Sequence, residues 1–439
     1  MESKLKFIIR KYCYKNKIYD NKEIMQLQDQ VISKYENGEF DFKNSISYKL
    51  YTTSAKKRKL AIVKDGTTEY FIFKALNQII QNKIKPHYES RNKMMIELFD
   101  NLKLFYMFKD FTVVRFDFKN YFDSISSEYV LKKCMINYNF SKVEMSLLQK
   151  YVDAMPMCKP GLSLSNTFAE EMGRVFDEKI KTLIPNIVFY KRYVDDGILI
   201  LNKVVAEKEI KNLLQLAIDD VFFDKSITSN NKNKTKIDFD KKFNYITRDK
   251  LPNQFDFLGY QIKMLFKGDR VNIKLGISDK KQKKYYQKTK HIISKYYKDP
   301  QKLRLILKCL SRRCVYTVSR NNDINKWISK GITHNYGDLF YFKNVDKSTA
   351  SYLSALFIKI FKELNLDLPN YLKSKSSAIG YNLFENIKKN KAIIFDEKIG
   401  VSISDLKKWI KIVNPGYNTD NRRYFELVKE FLIKCHVGY

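Results

Sequence analysis

Phe111-Thr112-Val113-Val114-Arg115-Phe116-Asp117-Phe118 and, further along, Ile187-Val188-Phe189-Tyr190-Lys191-Arg192-Tyr193-Val194-Asp195-Asp196-Gly197-Ile198-Leu199-Ile200-Leu201 decide the fold. The first is a β-branched and aromatic run with the signature of a strand, and Asp117 stands at its end. A carboxylate in that position costs free energy unless it meets a cation or water. The second reads as a hairpin, with two apolar arms flanking Asp195 and Asp196 at the tip. Hard divalent ions prefer oxygen ligands, and two-metal phosphoryl transfer needs carboxylates bridging ions about 4 Å apart. An isolated Asp-Asp pair is usually a solvated turn. A strand-end Asp together with a hairpin-tip Asp is a much rarer combination.

Composition points the same way. The chain has 439 residues, 44% of them hydrophobic and 14% aromatic, which is ample for packed cores and excludes wholesale disorder. Its 82 Lys and Arg against 48 Asp and Glu give a formal net charge of +34. So large an excess disfavours compaction unless a polyanion offsets it, and the nucleic-acid backbone is the commonest such partner. An anionic membrane is the runner-up. No run of about 20 apolar residues is present, and the opening MESKLKFIIRKYCYKNK lacks the apolar core of a signal peptide. The reading is therefore a cytoplasmic protein with no membrane partner. Six cysteines are scattered without zinc spacing, and buried, reduced thiols are expected.

The residues Phe116-Asp117-Phe118-Lys119-Asn120-Tyr121-Phe122-Asp123 followed by Tyr193-Val194-Asp195-Asp196 resemble motifs A and C of the reverse transcriptase palm. Lys159 to Glu170 is similar to motif B of that family, departing from it at Pro160, where the family usually has Gln. Asn231-Lys232-Asn233-Lys234-Thr235 resembles motif D, and Phe257-Leu258-Gly259-Tyr260 resembles the primer-grip hairpin. The resemblance implies an α+β right-hand polymerase: fingers and a palm with an antiparallel sheet, then a mainly α-helical thumb-like and C-terminal region. The corresponding segments are 1–110 (fingers-like), 111–265 (palm), 266–345 (thumb-like) and 346–439 (C-terminal helical extension). The chain is expected to be almost wholly helical beyond about residue 275.

The same resemblance implies roles. Asp117, Asp195 and Asp196 would be catalytic, with Mg²⁺, or Mn²⁺ in its place, held by Asp117, Phe118 and Asp195. Arg58, Lys59, Phe122 and Lys234 would bind dNTPs. Phe122, five residues after Asp117, would exclude a 2′-hydroxyl, the group that distinguishes ribose from deoxyribose. Gly161 and Gly259 would contact nucleic acid. Ser278 can cap a helix carrying Lys280, Lys281, Lys283, Lys284, Lys288, Lys290, Lys295 and Lys298, with Tyr285, Ile292, Ile293 and Tyr296 marking its inner face. Lys281, Lys284 and Lys288 of that helix would follow a duplex backbone, although a solvated lysine helix is the plain alternative.

Phe118 to Ile125 and Ala169-Glu170 are most similar to bacterial reverse transcriptases of the abortive-infection and defence-associated groups. The implied function is RNA-directed DNA synthesis in antiphage defence, with an RNA template or non-coding RNA, dNTPs and a DNA product as partners. Two alternatives stay open: a template-independent, protein-primed DNA polymerase, and a catalytically silent RNA-binding protein on a palm scaffold. Template, primer and oligomeric state are not legible.

Overall fold

The computed structural model describes residues 1–16, 18–53, 56–222, 236–237, 242–249, 253–268, 270–319, 325–373 and 378–437. It is a mixed α+β structure, and its residues group into two compact units. One contains Met1–Ser90 with Asp110–Thr247, the other Arg91–Lys109 with Arg248–Tyr439.

The first unit is organised by strand Thr112–Lys119. Val113, Val114, Phe116 and Phe118 are all buried, so both faces of the strand are covered and the near-continuous apolar run is accounted for. It pairs antiparallel with Asp196–Leu201, which in turn pairs antiparallel with Ile187–Tyr193. Two short strands, Lys236–Ile237 and Asn244–Ile246, also pair with Thr112–Lys119. Helix Ser163–Leu183 supplies Leu164, Phe168, Met172 and Phe176 to the core at helical spacing, and helix Glu207–Phe222 supplies Ile210, Leu214, Ile218 and Phe222. Phe118 is the hub of the core. Its ring lies 5.1 Å from Tyr121, 5.0 Å from Phe176 and 5.9 Å from Phe222. Such pairs add about 0.5–1.5 kcal/mol each beyond their burial, which fixes the end of the strand where Asp117 sits. The cationic run Lys56 to Lys59 belongs to strand Lys56–Val63 of a hairpin with Ile46–Thr53.

In the second unit the primer-grip-like segment is a hairpin, with Gln254–Phe257 and Tyr260–Lys267 joined by Leu258 and Gly259, both at positive φ. A third antiparallel strand, Arg270–Ile277, follows. Helix Asp279–Tyr296 then begins, but Ser278 makes no side-chain cap. Ser278 is buried, and its carbonyl accepts from the Lys281 and Gln282 amides, so helix entry is secured by main chain instead. Ile292 and Ile293 are buried as expected, together with Thr289, while Tyr285 and Tyr296 are only half-buried. The expectation of almost wholly helical structure beyond residue 275 is corrected by a three-stranded sheet. Strand Arg313–Ser319 pairs antiparallel with Asn325–Lys330 and parallel with Ala392–Phe395. Helices Lys347–Glu363, Ile403–Val413 and Tyr424–Lys434 carry apolar stripes, including buried Leu353, Phe357 and Phe361 on the first and Leu427, Val428 and Phe431 on the last. Among the described residues no helix is long and apolar enough to cross a membrane.

Candidate functional site

Strand register sets two of the candidate aspartates opposite each other and puts the third in the adjoining turn. Asp117 lies directly opposite Asp196, and Phe118 donates its amide to the Asp195 carbonyl at 2.9 Å. Tyr193 pairs with Asp196, so the turn consists of Val194 and Asp195, with Asp195 at the tip and Asp196 opening the returning strand. Val194 has φ +59, a region where this type of hairpin turn usually carries Gly. A β-branched residue there stores strain on the order of 1–3 kcal/mol. Arg192 opposes it by donating to the Val194 carbonyl at 2.8 Å.

Arg192 is the buried anchor of this turn. Its side chain is 1% exposed and bonds Asp177 through Nε at 2.8 Å and through a terminal nitrogen at 3.0 Å, with Glu170 at 3.1 Å. Tyr190 donates to the same Asp177 at 2.7 Å. Burial pushes the Glu170 carboxyl up, partly offset by Arg192. Gly173 leaves room for this guanidinium, because a Cβ there would lie 2.2 Å from it. Gly197 does the same for Phe116, whose ring would meet a Cβ at 2.3 Å.

Two cations meet the aspartates. Arg115 forms an ion pair with Asp196 and lies 3.7 Å from Asp117, while Lys242 pairs with Asp117. Asp117 is 7% exposed. The Asp196 carboxyl is pushed up to about 6, first by burial, then by the neighbouring negative charge of Asp117 and Asp195, with Arg115 opposing both. Among the described residues no three His, Cys, Asp or Glu side chains gather at metal-holding distance.

Phe122 is half-buried in a short 3₁₀ turn and lines a cavity of about 310 Å³. Tyr88, Gln81, Ser163, Asn166 and Val194 share that cavity, which brings the turn after strand Thr112–Lys119, the start of helix Ser163–Leu183 and the Val194–Asp195 turn to one wall. Gly161 has φ +109, and a Cβ there would lie 2.5 Å from the Ala61 carbonyl, so this glycine is required by close backbone packing against strand Lys56–Val63. Lys59 is exposed and lies over the Tyr48 ring at 4.3 Å. Arg58 belongs to the same strand, with its side chain outside the described residues. Lys234 lies outside the described residues altogether.

In the second unit Gly259 has φ +88, and a Cβ would sit 3.2 Å from Lys281 and 3.1 Å from the Tyr336 hydroxyl. Arg91 braces this hairpin by donating to the carbonyls of Leu258 at 2.9 Å and Asn335 at 2.6 Å. Lys284 is exposed on its helix, while Lys281 and Lys288 are half-buried. All six cysteines are buried and free, and the Cys314 thiol donates to the Cys309 carbonyl at 3.6 Å.

Sequence reasoning missed Arg115, Lys242, Arg192 and Asp177. Arg115 was recoverable, since it stands two residues before Asp117 and strand periodicity puts both on one face. The other three act through partners distant in sequence and leave no local signal.

No protein-family profile matches this sequence, and no curated protein matches it. Among solved structures the chain is similar to apo telomerase from Candida tropicalis truncated of its C-terminal domain, at 16% identity and TM-score 0.38, over 57% of this chain and 59% of that one. It is also similar to telomerase from Candida albicans in complex with a TWJ fragment of telomeric RNA, at 11% identity and TM-score 0.38, over 88% of this chain and 61% of that one. The corresponding Candida tropicalis complex gives 14% identity and TM-score 0.34, over 92% and 67%. The chain thus spans about three-fifths of the length of the first two, and the likeness is distant.

Proposed function

We propose that this chain is an RNA-directed DNA polymerase that joins dNTPs by two-metal phosphoryl transfer and acts in bacterial antiphage defence. The class comes from the motif resemblance, and its main structural support is the register that sets Asp117 opposite Asp196 with Asp195 in the adjoining turn. Under this reading residues 1–110 serve as fingers, 111–265 as palm, 266–345 as thumb and 346–439 as an extension. Defence rests on the resemblance of Phe118 to Ile125 and Ala169-Glu170 alone.

The donor set fits Mg²⁺, since it consists of hard carboxylate oxygens. Asp117 and Asp195 also place negative charge beside Asp196, which a bound cation would offset. Asp117 and Asp195, with the main chain of Phe118 and the carboxylate of Asp196 nearby, would hold the metal, which when bound activates the attacking hydroxyl and stabilises charge on the phosphate. The chain's own groups do the rest. Arg115 and Lys242 act as counter-ions to the carboxylates. Arg192 fixes the turn that aims Asp195, and Phe122 walls the cavity where the sugar would lie.

One observation favours the silent RNA-binding reading: Asp117 and Asp196 already have cationic partners. The two readings separate in one assay, incorporation of labelled dNTPs by the purified chain on a primed RNA template with Mg²⁺ and with EDTA. Metal-dependent extension of the primer is expected. Absence of incorporation on RNA, on DNA and without template would favour the silent scaffold, and untemplated label that stays on the protein after nuclease would favour protein priming.

A further inference from the structure

Helix Glu2–Lys15 of the first unit has two contrasting faces. Leu5, Ile9 and Cys13 are buried on one of them, where Tyr12 meets the Phe71 ring at 5.1 Å and Gln28 donates to the Lys6 carbonyl at 2.9 Å. That face docks the helix on helices Asn21–Glu36 and Thr68–Ile84. The other face carries Phe7, Arg10, Lys11 and Tyr14, whose i, i+3, i+4, i+7 spacing sets them along one stripe. All four are exposed, Phe7 by 44% and Tyr14 by 51%. Just past the helix Tyr19, 55% exposed, stacks on Tyr14 with ring centroids 6.2 Å apart and planes 29° apart.

A single exposed ring is ordinary on a protein surface. Three in one row, two of them already stacked, form a contiguous patch of the kind that marks an interaction site. Its setting is cationic, because the helix holds Lys4, Lys6, Arg10, Lys11 and Lys15 against Glu2 as its one acidic residue. Glu2 pairs with Lys6 at 2.5 Å, so the helix's own acid is taken up outside the stripe. Rings interleaved with cations suit single-stranded nucleic acid: the rings accept unpaired bases and the cations accept phosphates. In a duplex each base face is covered by its neighbours, and the rings have nothing to stack on. An anionic membrane also attracts basic residues, but a helix lying in one immerses a continuous apolar face. The apolar face here is already committed to the core, and the exposed stripe alternates rings with charges.

We propose that the stripe Phe7, Arg10, Lys11 and Tyr14, extended by Tyr19, binds single-stranded nucleic acid, stacking bases on the rings and holding phosphates with the two cations. Seven residues span about 10 Å at ~1.5 Å per residue, so the bases on Phe7 and Tyr14 are not immediate neighbours in a stack of ~3.4 Å steps. RNA and DNA share this chemistry, because every base has a ring face and every nucleotide a phosphate. The inference goes beyond the polymerase reading: the stripe needs neither the aspartates nor a metal, so its binding is measured apart from polymerisation.

The test uses the full chain in EDTA at about 0.3 M salt, where contacts made to phosphate alone are weakened. Anisotropy measures its affinity for labelled oligouridine, for oligothymidine and for a blunt DNA duplex of the same length. The double variant Phe7→Ala, Tyr14→Ala should bind one or both single strands about tenfold or more weaker, while its duplex affinity changes by less than about twofold. The strand that responds identifies RNA or DNA as the source. Phe7→Trp with Tyr14→Trp, which keeps two ring faces, should retain single-strand binding. Circular dichroism establishes that each variant is folded, as expected for side chains that face solvent. Parent-like affinity of the folded alanine variant for both single strands would overturn the proposal, and so would an equal loss for the duplex. Flotation with vesicles of phosphatidylcholine and phosphatidylserine covers the membrane: a loss of vesicle binding in the alanine variant, with nucleic-acid binding unchanged, would overturn it in favour of a lipid surface.

Discussion

Replacing Arg192 with Met should destabilise the first unit severely and in a pH-dependent way. Methionine preserves most of the volume but leaves Asp177 and Glu170 without their shared cation, and it releases the Val194 carbonyl from its donor. Removing one partner of a buried ion pair costs about 3–5 kcal/mol, because the remaining charge is stranded in a poorly solvating site. For a unit of this size each kcal/mol shifts the midpoint by about 2–4 °C, so a fall of roughly 6–20 °C is expected. The pH dependence follows from linkage. Without Arg192 the Glu170 carboxyl loses the charge that offsets its burial and titrates higher in the folded chain than in the unfolded one. The folded state then binds more protons over that interval, so its stability rises as pH falls through the raised value. Glu170 is already pushed up by burial in the parent, which makes it the first to be neutralised. Thermal and urea unfolding of Arg192→Met and the parent at pH 8 and pH 5 would measure this, the deficit shrinking at the lower pH. A loss below about 1 kcal/mol, or an equal loss at both pH values, would refute the role of Arg192 as the buried counter-ion.

Other outcomes follow from the same geometry. Phe122→Ala should open the cavity wall and admit ribonucleotides, so the ratio of rNTP to dNTP incorporation rises relative to the parent; an unchanged ratio would return Phe122 to a packing role. Gly197→Ala should cost about 1–3 kcal/mol in urea unfolding, because its Cβ would meet the buried Phe116 ring at 2.3 Å. Divalent-ion binding should be accompanied by proton release around pH 6, since the Asp196 carboxyl sits at about 6 and a bound cation lowers it. Calorimetry of Mn²⁺ binding in buffers of different ionisation enthalpy would detect those protons, and binding without them would mean that Asp196 does not face the ion.

Much of the first unit is legible in the sequence because its signals are local. Val113, Val114, Phe116 and Phe118 announce a doubly covered strand, and the apolar arms around Val194-Asp195 announce the hairpin. Register is harder to read. That Asp117 faces Asp196 while Asp195 occupies the tip depends on the two-residue turn, which the Val at its first position conceals, since Gly is the usual occupant. The strand Ala392–Phe395 is only four residues long and pairs in parallel with Arg313–Ser319, so neither its length nor its neighbours distinguish it from helix. Residues 91–109 group with the second unit, yet no Gly, Pro or Ser linker marks the change. In the site itself the carboxylates carry a motif, but their counter-ions do not. Lys242 reaches Asp117 across more than a hundred residues, and the Arg192 to Asp177 pair joins a strand to a helix.

The most direct measurement is single-turnover incorporation of a labelled dNTP by Asp195→Asn beside the parent, with Mg²⁺ and the same primed template, and with circular dichroism of both proteins. The amide keeps the shape of the side chain while removing the charge that would bind the metal, so the variant should stay folded and incorporate slower by about a thousandfold or more, at ~1.4 kcal/mol per decade. Parent-like incorporation by a folded Asp195→Asn would contradict the assignment of this turn as the metal-binding centre of a polymerase.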